Sequence, residues 1–342
     1  MPITDSTGRT LDRPAGRFFD GRCGPGGHDR LAGAVAAWLA SDALRWLVEN
    51  VPGRPTPGAP LSRLTWPTGL DGPLSPGRTG LAAAVAALDE ICDWSSAGTA
   101  WDFRVAGERP LDVPDPACGP PAARDAVAER AGALGLRAHG RLSEDVATVV
   151  VLGGRRLAPL NRTQVVADAV AAGRIAPERT ILLSARRTLE VAERASAEVT
   201  AYAPAARTEA DLMAAAGAGL GPDAGTVELV EVPPPPGARR ASTHETLRFL
   251  AEDSGLDLAA PLALVTSPTC RPYQHLEAAR ALGLAAGLAF ETVAHPRAWA
   301  AAPGAPAAAP HVYLQEIRGT IQAAGRLAAE LAAAAPDLAA LA

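Results

Sequence analysis

From residue 145 onward, short apolar runs alternate with segments of helical length, and this rhythm limits the fold more than any other feature of the chain. The runs are ATVVVLGG (147–154), RTILLSA (179–185), TVELVEV (226–232), LALVTS (262–267) and the weaker LAFETVAH (288–295). Between them lie helix patterns at 162–172, 208–219, 243–255 and 271–282. Strands spaced by helices of this length imply βαβ units and a parallel sheet. Strands that are apolar along nearly their whole length suit a sheet covered on both faces. The fold expected for 141–300 is therefore α/β, a Rossmann-like, doubly wound and mostly parallel sheet.

The flanking regions read differently. Residues 1–140 predict a helical N-terminal extension with Pro/Gly-rich loops. In 29–49, Leu31, Val35, Trp38, Leu39, Trp46 and Leu47 recur at amphipathic helix spacing. Further helices are expected over 80–93 and 121–136, and 51–79 reads as a long loop. FFDGRCGPGGHDR (18–30) is read as a loop into the first helix, with a lid over the site as the sharper reading. Residues 301–342 comprise a linker, AAPGAPAAAP, and a C-terminal Ala/Leu helix over roughly 311–335, read either as a dimer surface or as packing on its own sheet.

Charge and composition exclude several functions. The net charge is −5 without a basic block, which disfavours nucleic acid as a partner. All 32 basic residues are arginine, so chemistry that needs a lysine amine is excluded. No apolar run is read as long enough to cross a bilayer, and MPITDSTGRT lacks a signal pattern, so the expected setting is the cytoplasm, without a membrane. Cys23, Cys92, Cys118 and Cys270 form no C-x-x-C pair and read as free thiols. The six histidines show no ligand spacing, and no metal is expected.

In folds of this class ligands bind beyond the carboxyl ends of the strands. That rule selects Gly153–Arg156, Ser184–Arg187, the segment before Thr243, and Thr266–Arg271. Gly153-Gly154 lacks the third glycine of a dinucleotide fingerprint, and Ser184-Ala185-Arg186 stands where a ribose-binding carboxylate is expected, which argues against an NAD site. The pair then either permits a tight turn or lets a ligand approach the backbone. Thr208 reads as an N-cap with Glu209 in the first helical turn; Ser242 or Thr243 reads likewise before Glu245. Either glutamate is also a candidate for a ligand amine or hydroxyl. Thr266, Ser267, Thr269, Cys270 and Arg271 form the densest polar cluster after a strand. Cys270, at a helix start beside Arg271, is a candidate nucleophile or a packed thiol. Arg271 is a candidate anion holder, and His275 reads as a surface or packing residue.

Taken in order, VVVLGG, ILLSARR, RTEADLM, STHETLRF and LALVTSPTCR resemble the YdcF/SanA/ElyC-like family of bacterial Rossmann-like proteins, most closely its YdcF-type members. The resemblance covers about 145–300, with YLQEIRGTI (313–321) and AAWLASDALRW (36–46) as further points of similarity. It implicates Gly153, Gly154, Ser184, Glu209, Thr243, Glu245, Thr266 and Ser267. The chain departs from the pattern at Ala185-Arg186, which replaces Gly-Gly, and at Thr246, which replaces an Asn. Cys270 and Tyr273 stand where many envelope-linked members carry His and Arg.

The resemblance implies an adenosyl or nucleotide-like ligand, with S-adenosylmethionine as the expected cofactor. The functional expectation is a small-molecule enzyme that binds this ligand at the strand ends and transfers a group from it, as in secondary metabolism. Gly153, Gly154 and Arg155 would contact the ligand, Glu209 or Glu245 would fix its hydroxyls or amine, and Arg271 would hold an anionic group. The alternatives are a regulatory module that binds the same ligand without turnover, and a phosphoester hydrolase. The expected partners are a small molecule and a second copy of the chain.

Overall fold

A computed structural model of the 342-residue chain describes residues 27–51, 77–87, 101–103, 121–137, 140–253, 255–283, 290–294 and 309–333. They fall into two compact units. One is helical and holds the described residues between Asp29 and Arg137 together with 309–333; the other holds those between Gly140 and Ala294, with Gly27 and His28. Cys23, Cys92 and Cys118, most of the glycine-rich segment 18–30 and most of the 301–310 linker lie outside the described residues.

In the helical unit, the single helix expected over 29–49 is two helices, α1 (Gly27–Leu39) and α2 (Asp42–Asn50). The break has a local cause: Ser41 adopts an extended backbone and its hydroxyl accepts from Leu44 N at 3.3 Å, capping α2. Helices α3 (Gly77–Ala87) and α4 (Pro121–Ala133) follow. Trp38 is buried and its indole N–H donates to the Leu134 carbonyl at 2.9 Å, tying α1 to the end of α4. The stretch Arg30–Asn50 does pass the length and composition of a membrane span, contrary to the sequence reading. It is broken at Ser41, however, and Leu31, Val35, Leu39, Leu44 and Leu47 are buried within the protein, as core helices are.

The second unit carries the sheet. In chain order its elements are β1 (Thr148–Leu152), α5 (Ala158–Ala171), β2 (Arg179–Ala185), the short helices α6 (Val191–Arg194) and α7 (Ala197–Tyr202), α8 (Glu209–Gly217) and β3 (Thr226–Val232). Then come α9 (Thr243–Asp253), β4 (Leu262–Thr266), α10 (Arg271–Ala278), a π-helical turn at Ala279–Gly283, and β5 (Phe290–Ala294). The expected α/β architecture is present, and all five strands are parallel, in the order β3-β2-β1-β4-β5. Helix α5 packs on α8, and α9 on α10. Right-handed crossovers running outward in both directions from β1 put these two pairs on opposite faces. β1 and β4 are buried at every position, as central strands should be. Val149, Val151, Val166, Met213 and Val265 anchor the core between the sheet and α5/α8. Strand β3 departs from that pattern: as the edge strand, most of its residues are partly or fully exposed.

The final helix, α11 (Pro310–Ala333), belongs to the helical unit. It buries Leu314, Ile317, Ile321, Leu327 and Leu331 and packs on α3 and α4. Gln315 accepts from the Phe103 backbone N–H at 3.0 Å, and Arg318 pairs with Asp102 at 3.5 Å.

Candidate functional site

The strand order reverses at β1. The chain proceeds to β2 on one side and later to β4 on the other, so the loops that leave β1 and β4 diverge. Gly153–Leu157 and Ser267–Cys270 flank this point. The first turn of α5 opens onto it, with Leu157 as N-cap, no side-chain cap and Pro159 in the first turn.

The glycine pair is explained by the protein's own packing. A side chain at 153 would run into the Glu209 carboxylate and the Leu183 carbonyl, and one at 154 into Ala158 and Arg162. Arg162, buried on α5, spans the divergence. Its guanidinium donates to the carbonyls of Leu152, at 2.8 Å, and Gly153, and to Ser267 Oγ at 3.1 and 2.9 Å. One side chain therefore joins the end of β1 to the end of β4.

On the β1/β2 side lies a cluster of charges. Glu193, fully buried on α6, receives Arg155 Nε at 3.1 Å and Arg187 at 2.7 and 3.0 Å. Arg155 also pairs with Glu190 at 2.8 Å, and Arg187 Nε with Glu209 at 2.6 Å. Arg187 further donates to the Gly154 carbonyl at 3.4 Å, and Glu209 accepts from Ala185 N at 3.4 Å. The two buried carboxylates respond in opposite directions. Burial would raise the Glu193 pKa, but Arg187's hydrogen bond and charge, the Glu190 backbone N–H and Arg155 outweigh it and bring Glu193 to about 2. At Glu209 burial wins over Arg187, and the carboxyl is pushed up. Arg156 has a left-handed backbone, φ 46°, unusual for a residue with a side chain. The partly buried Tyr202 hydroxyl donates to its carbonyl at 2.6 Å and holds that turn. Burial, then the charge of Glu193, raises the Tyr202 pKa.

On the β4 side a network of hydroxyl and amide groups takes the place of the ion pairs. Thr266 Oγ1 donates to Gln274 Oε1 on α10, and Gln274 Nε2 reaches Thr243 Oγ1 at 3.5 Å, at the start of α9. Ser267 is held by Arg162. Cys270, a partly exposed free thiol, is the N-cap of α10 with its sulfur 3.8 Å from Thr269 Oγ1. Arg271 is buried and its Nε donates to the Thr292 carbonyl at 2.8 Å, linking α10 to β5. His275, read from sequence as surface or packing, is buried, with Nδ1 2.9 Å from Thr292 Oγ1. Burial, then the charge of Arg271, lowers its pKa to about 3, so it is neutral.

The fold thus gathers Gly153, Gly154, Arg155 and Glu209 into one cluster, and Arg162 attaches Ser267 to it. Thr266 and Thr243 belong to a second network. Ser184 is buried, its hydroxyl 3.2 Å from the Ala185 carbonyl. Glu245 stands apart: its carboxylate accepts from Ser242 N at 2.5 Å while Ser242 Oγ accepts from Glu245 N at 3.3 Å, a reciprocal cap of α9. Thr208 caps α8 in the same way with Asp211, whose pKa is lowered by the backbone N–H groups of Arg207 and Thr208.

Sequence reasoning selected the loop ending in Arg187 without giving that residue a role, and missed Arg162, Glu193 and Gln274 as members of the site. Glu190 and Glu193 follow the arginine-rich end of β2 and form the signal that went unused; Arg162, inside a helix pattern, gave none. Among the described residues, no group of three or more His, Cys, Asp or Glu side chains could hold a metal. A cavity of about 380 Å³ between residues 140–142 and the later turns of α5 is lined by Arg141, Asp168 and Arg174 among others, and by none of the candidate residues. No family model, curated protein or solved structure matches the chain.

Proposed function

We infer that the α/β unit binds a small ligand with an adenosyl or nucleotide-like portion, S-adenosylmethionine being the first to test, above the carboxyl ends of β1 and β4. The observation that carries this reading is the reversal of strand order at β1. The Gly153-Gly154 turn and the α5 first turn, which has no side-chain cap, both lie there. The resemblance to the YdcF-type proteins points to the same ligand class. In this reading backbone N–H groups after Gly153 meet the anionic or polar part of the ligand, and Arg162 and Ser267 fix the two loops that hold it. Glu209, whose proton affinity burial raises, is the group that takes or gives a proton if a group is transferred.

Calorimetric titration of the full chain with S-adenosylmethionine, S-adenosylhomocysteine and ATP tests the ligand class. The expected result is saturable binding to at least one, weakened tenfold or more by Arg162→Met, because loss of that guanidinium unties the loop after β1 from Ser267. Heat signals indistinguishable from dilution for all three would sink the reading.

A second reading, a ligand sensor without turnover, is favoured by one observation. Arg155, Arg187, Glu193 and Glu209 are committed to one another, and His275 is buried and neutral, so few groups remain for acid–base work. Incubating the protein with the bound ligand and cell extract separates the two: consumption of the ligand supports an enzyme, and quantitative recovery supports the sensor.

A further inference from the structure

Strand β3 closes one edge of the sheet, and among the described residues it pairs only with β2. Exposed edges invite pairing, and proteins usually guard them with charged side chains, lysine above all, or with proline, a bulge or a covering element. This edge has seven residues in unbroken register with β2, contains no proline, and comes from a chain without lysine. It also leaves Val227 and Leu229 38% and 42% exposed, on the same face.

Two backbone hydrogen bonds fix which way its amides point. Thr226 N donates to Glu178 O, and Val232 O accepts from Arg186 N, both toward β2. Alternation along a strand then turns the N–H and C=O of Val227, Leu229 and Glu231 outward. The middle residue of Thr226–Val232 is Leu229, one of these three.

We propose that β3 is a self-association surface, on which two copies of the chain pair antiparallel about a two-fold axis at Leu229 and join their sheets into one. The sequence of the strand is what selects a second copy as the occupant. In this register Leu229 faces its own copy as a hydrogen-bonded pair. Val227 faces Glu231 of the other chain and Glu228 faces its Val230, so no carboxylate opposes another. All outward amides and carbonyls of the three residues are satisfied. Centring the axis on Glu228 or Glu231 instead sets glutamate directly against glutamate, which is unfavourable. Centring it on Val230 sets Val227 against Pro233, which has no N–H for the outward Val227 carbonyl. The preferred register is also the one that overlaps the whole strand, ending where Pro233–Pro236 begin. Glu228 and Glu231 are each paired with an arginine of β2 or its following loop, Arg179 and Arg186, which reduces the negative charge carried along the edge.

The test is light scattering on the full-length protein with Leu229→Lys and Leu229→Glu. The unchanged chain is expected at twice its 34.9 kDa mass. Each variant alone is expected at the single-chain mass, since the new charge meets itself across the axis. An equimolar mixture is expected to recover the double mass as a mixed dimer. Circular dichroism identical to that of the unchanged chain, together with recovery in the mixture, separates loss of pairing from loss of fold. A monomeric unchanged chain would overturn the proposal. So would a dimer indifferent to both substitutions, or two monomeric variants that fail to pair with each other.

Discussion

The carboxyl ends of β1 and β2 and that of β4 face one problem, polar groups at the end of an apolar strand, and solve it with different chemistry. At β1 and β2 the solution is ionic: Arg155 and Arg187 surround Glu193, with Glu190 and Glu209 outside them. At β4 it is neutral, a chain of hydroxyl and amide groups through Thr266, Gln274 and Thr243. Buried charges are secure only while every partner is present, whereas a neutral network loses about one hydrogen bond at a time. The two sides should therefore differ in how steeply they respond to substitution. The ionic side should behave as a unit and the neutral side as a sum.

The largest effect is expected at Glu193. Its replacement by Ala leaves Arg155 with Glu190 and Arg187 with Glu209, two mostly buried guanidinium groups that each lose a partner. Removal of one member of a buried ion group costs roughly 3–5 kcal/mol. Thr266→Val on the neutral side should cost about 1 kcal/mol. Urea unfolding of the two variants breaks the comparison if the costs are alike.

Arg162→Met should fall between them, at about 2–3 kcal/mol, because a charged donor is lost to two carbonyls and a hydroxyl. Arg162 belongs to both sides. Its removal should also abolish any coupling between Glu193→Ala and Thr266→Val measured in a double-mutant cycle. Coupling that survives in the Arg162→Met background would mean that the two networks communicate by another route.

Acid sharpens the contrast, because His275 titrates on one side and Glu193 on the other. His275 packs beside Thr292 and Arg271 behind β4, and its pKa falls from 6.5 to about 3 on folding. The unfolded chain then binds more protons between those values, so stability is full above pH 6.5 and declines as the pH falls toward 3. Glu193 falls from 4.5 to about 2, so its contribution is intact above pH 4.5 and is lost only as the pH falls toward 2. The neutral side should thus weaken first on acidification. His275→Gln should flatten the stability curve between pH 6.5 and 4.5, and Glu193→Gln should flatten it below 4.5. Urea midpoints across this range check both; a curve unchanged by His275→Gln would remove the histidine from the account.

The same contrast explains how much of the molecule was legible in its sequence. Periodicity reports apolar faces, and it delivered the parallel sheet, the strand runs and the loops at the strand ends. It also pointed to Gly153-Gly154, but it could not say that Glu209 and Arg162 would occupy the space a side chain there would take. The partners of buried charges lie far apart in the chain, as Arg155 does from Glu193 or Arg162 from Ser267, and no local pattern links them. The short helices α6 and α7 carry too few residues for a period to register. The split between α1 and α2 was within reach, since Ser41 is a good cap, but the apolar spacing runs through it and conceals the stop.

The smallest expected effect concerns Glu245, which sequence and resemblance offered as a ligand group beside Glu209. The two glutamates stand on opposite sides of the contrast. Glu209 is buried among arginines; Glu245 is only partly buried and its carboxylate closes a cap with Ser242. Loss of a capping partner costs about 1 kcal/mol or less at a helix end. Glu245→Ala should therefore lower stability by that amount and leave ligand affinity unchanged. Glu209→Gln should reduce affinity and move its pH dependence, since the carboxyl it replaces holds its proton to higher pH than an exposed one. Titrating both variants with whichever adenosyl compound binds decides between the two carboxylates. Equal losses of affinity would extend the ligand over the start of α9 and bring Thr243 and Gln274 into the site with it. A loss confined to Glu209→Gln would keep the ligand on the ionic side, with the network at β4 serving only to hold α9 and α10 in place.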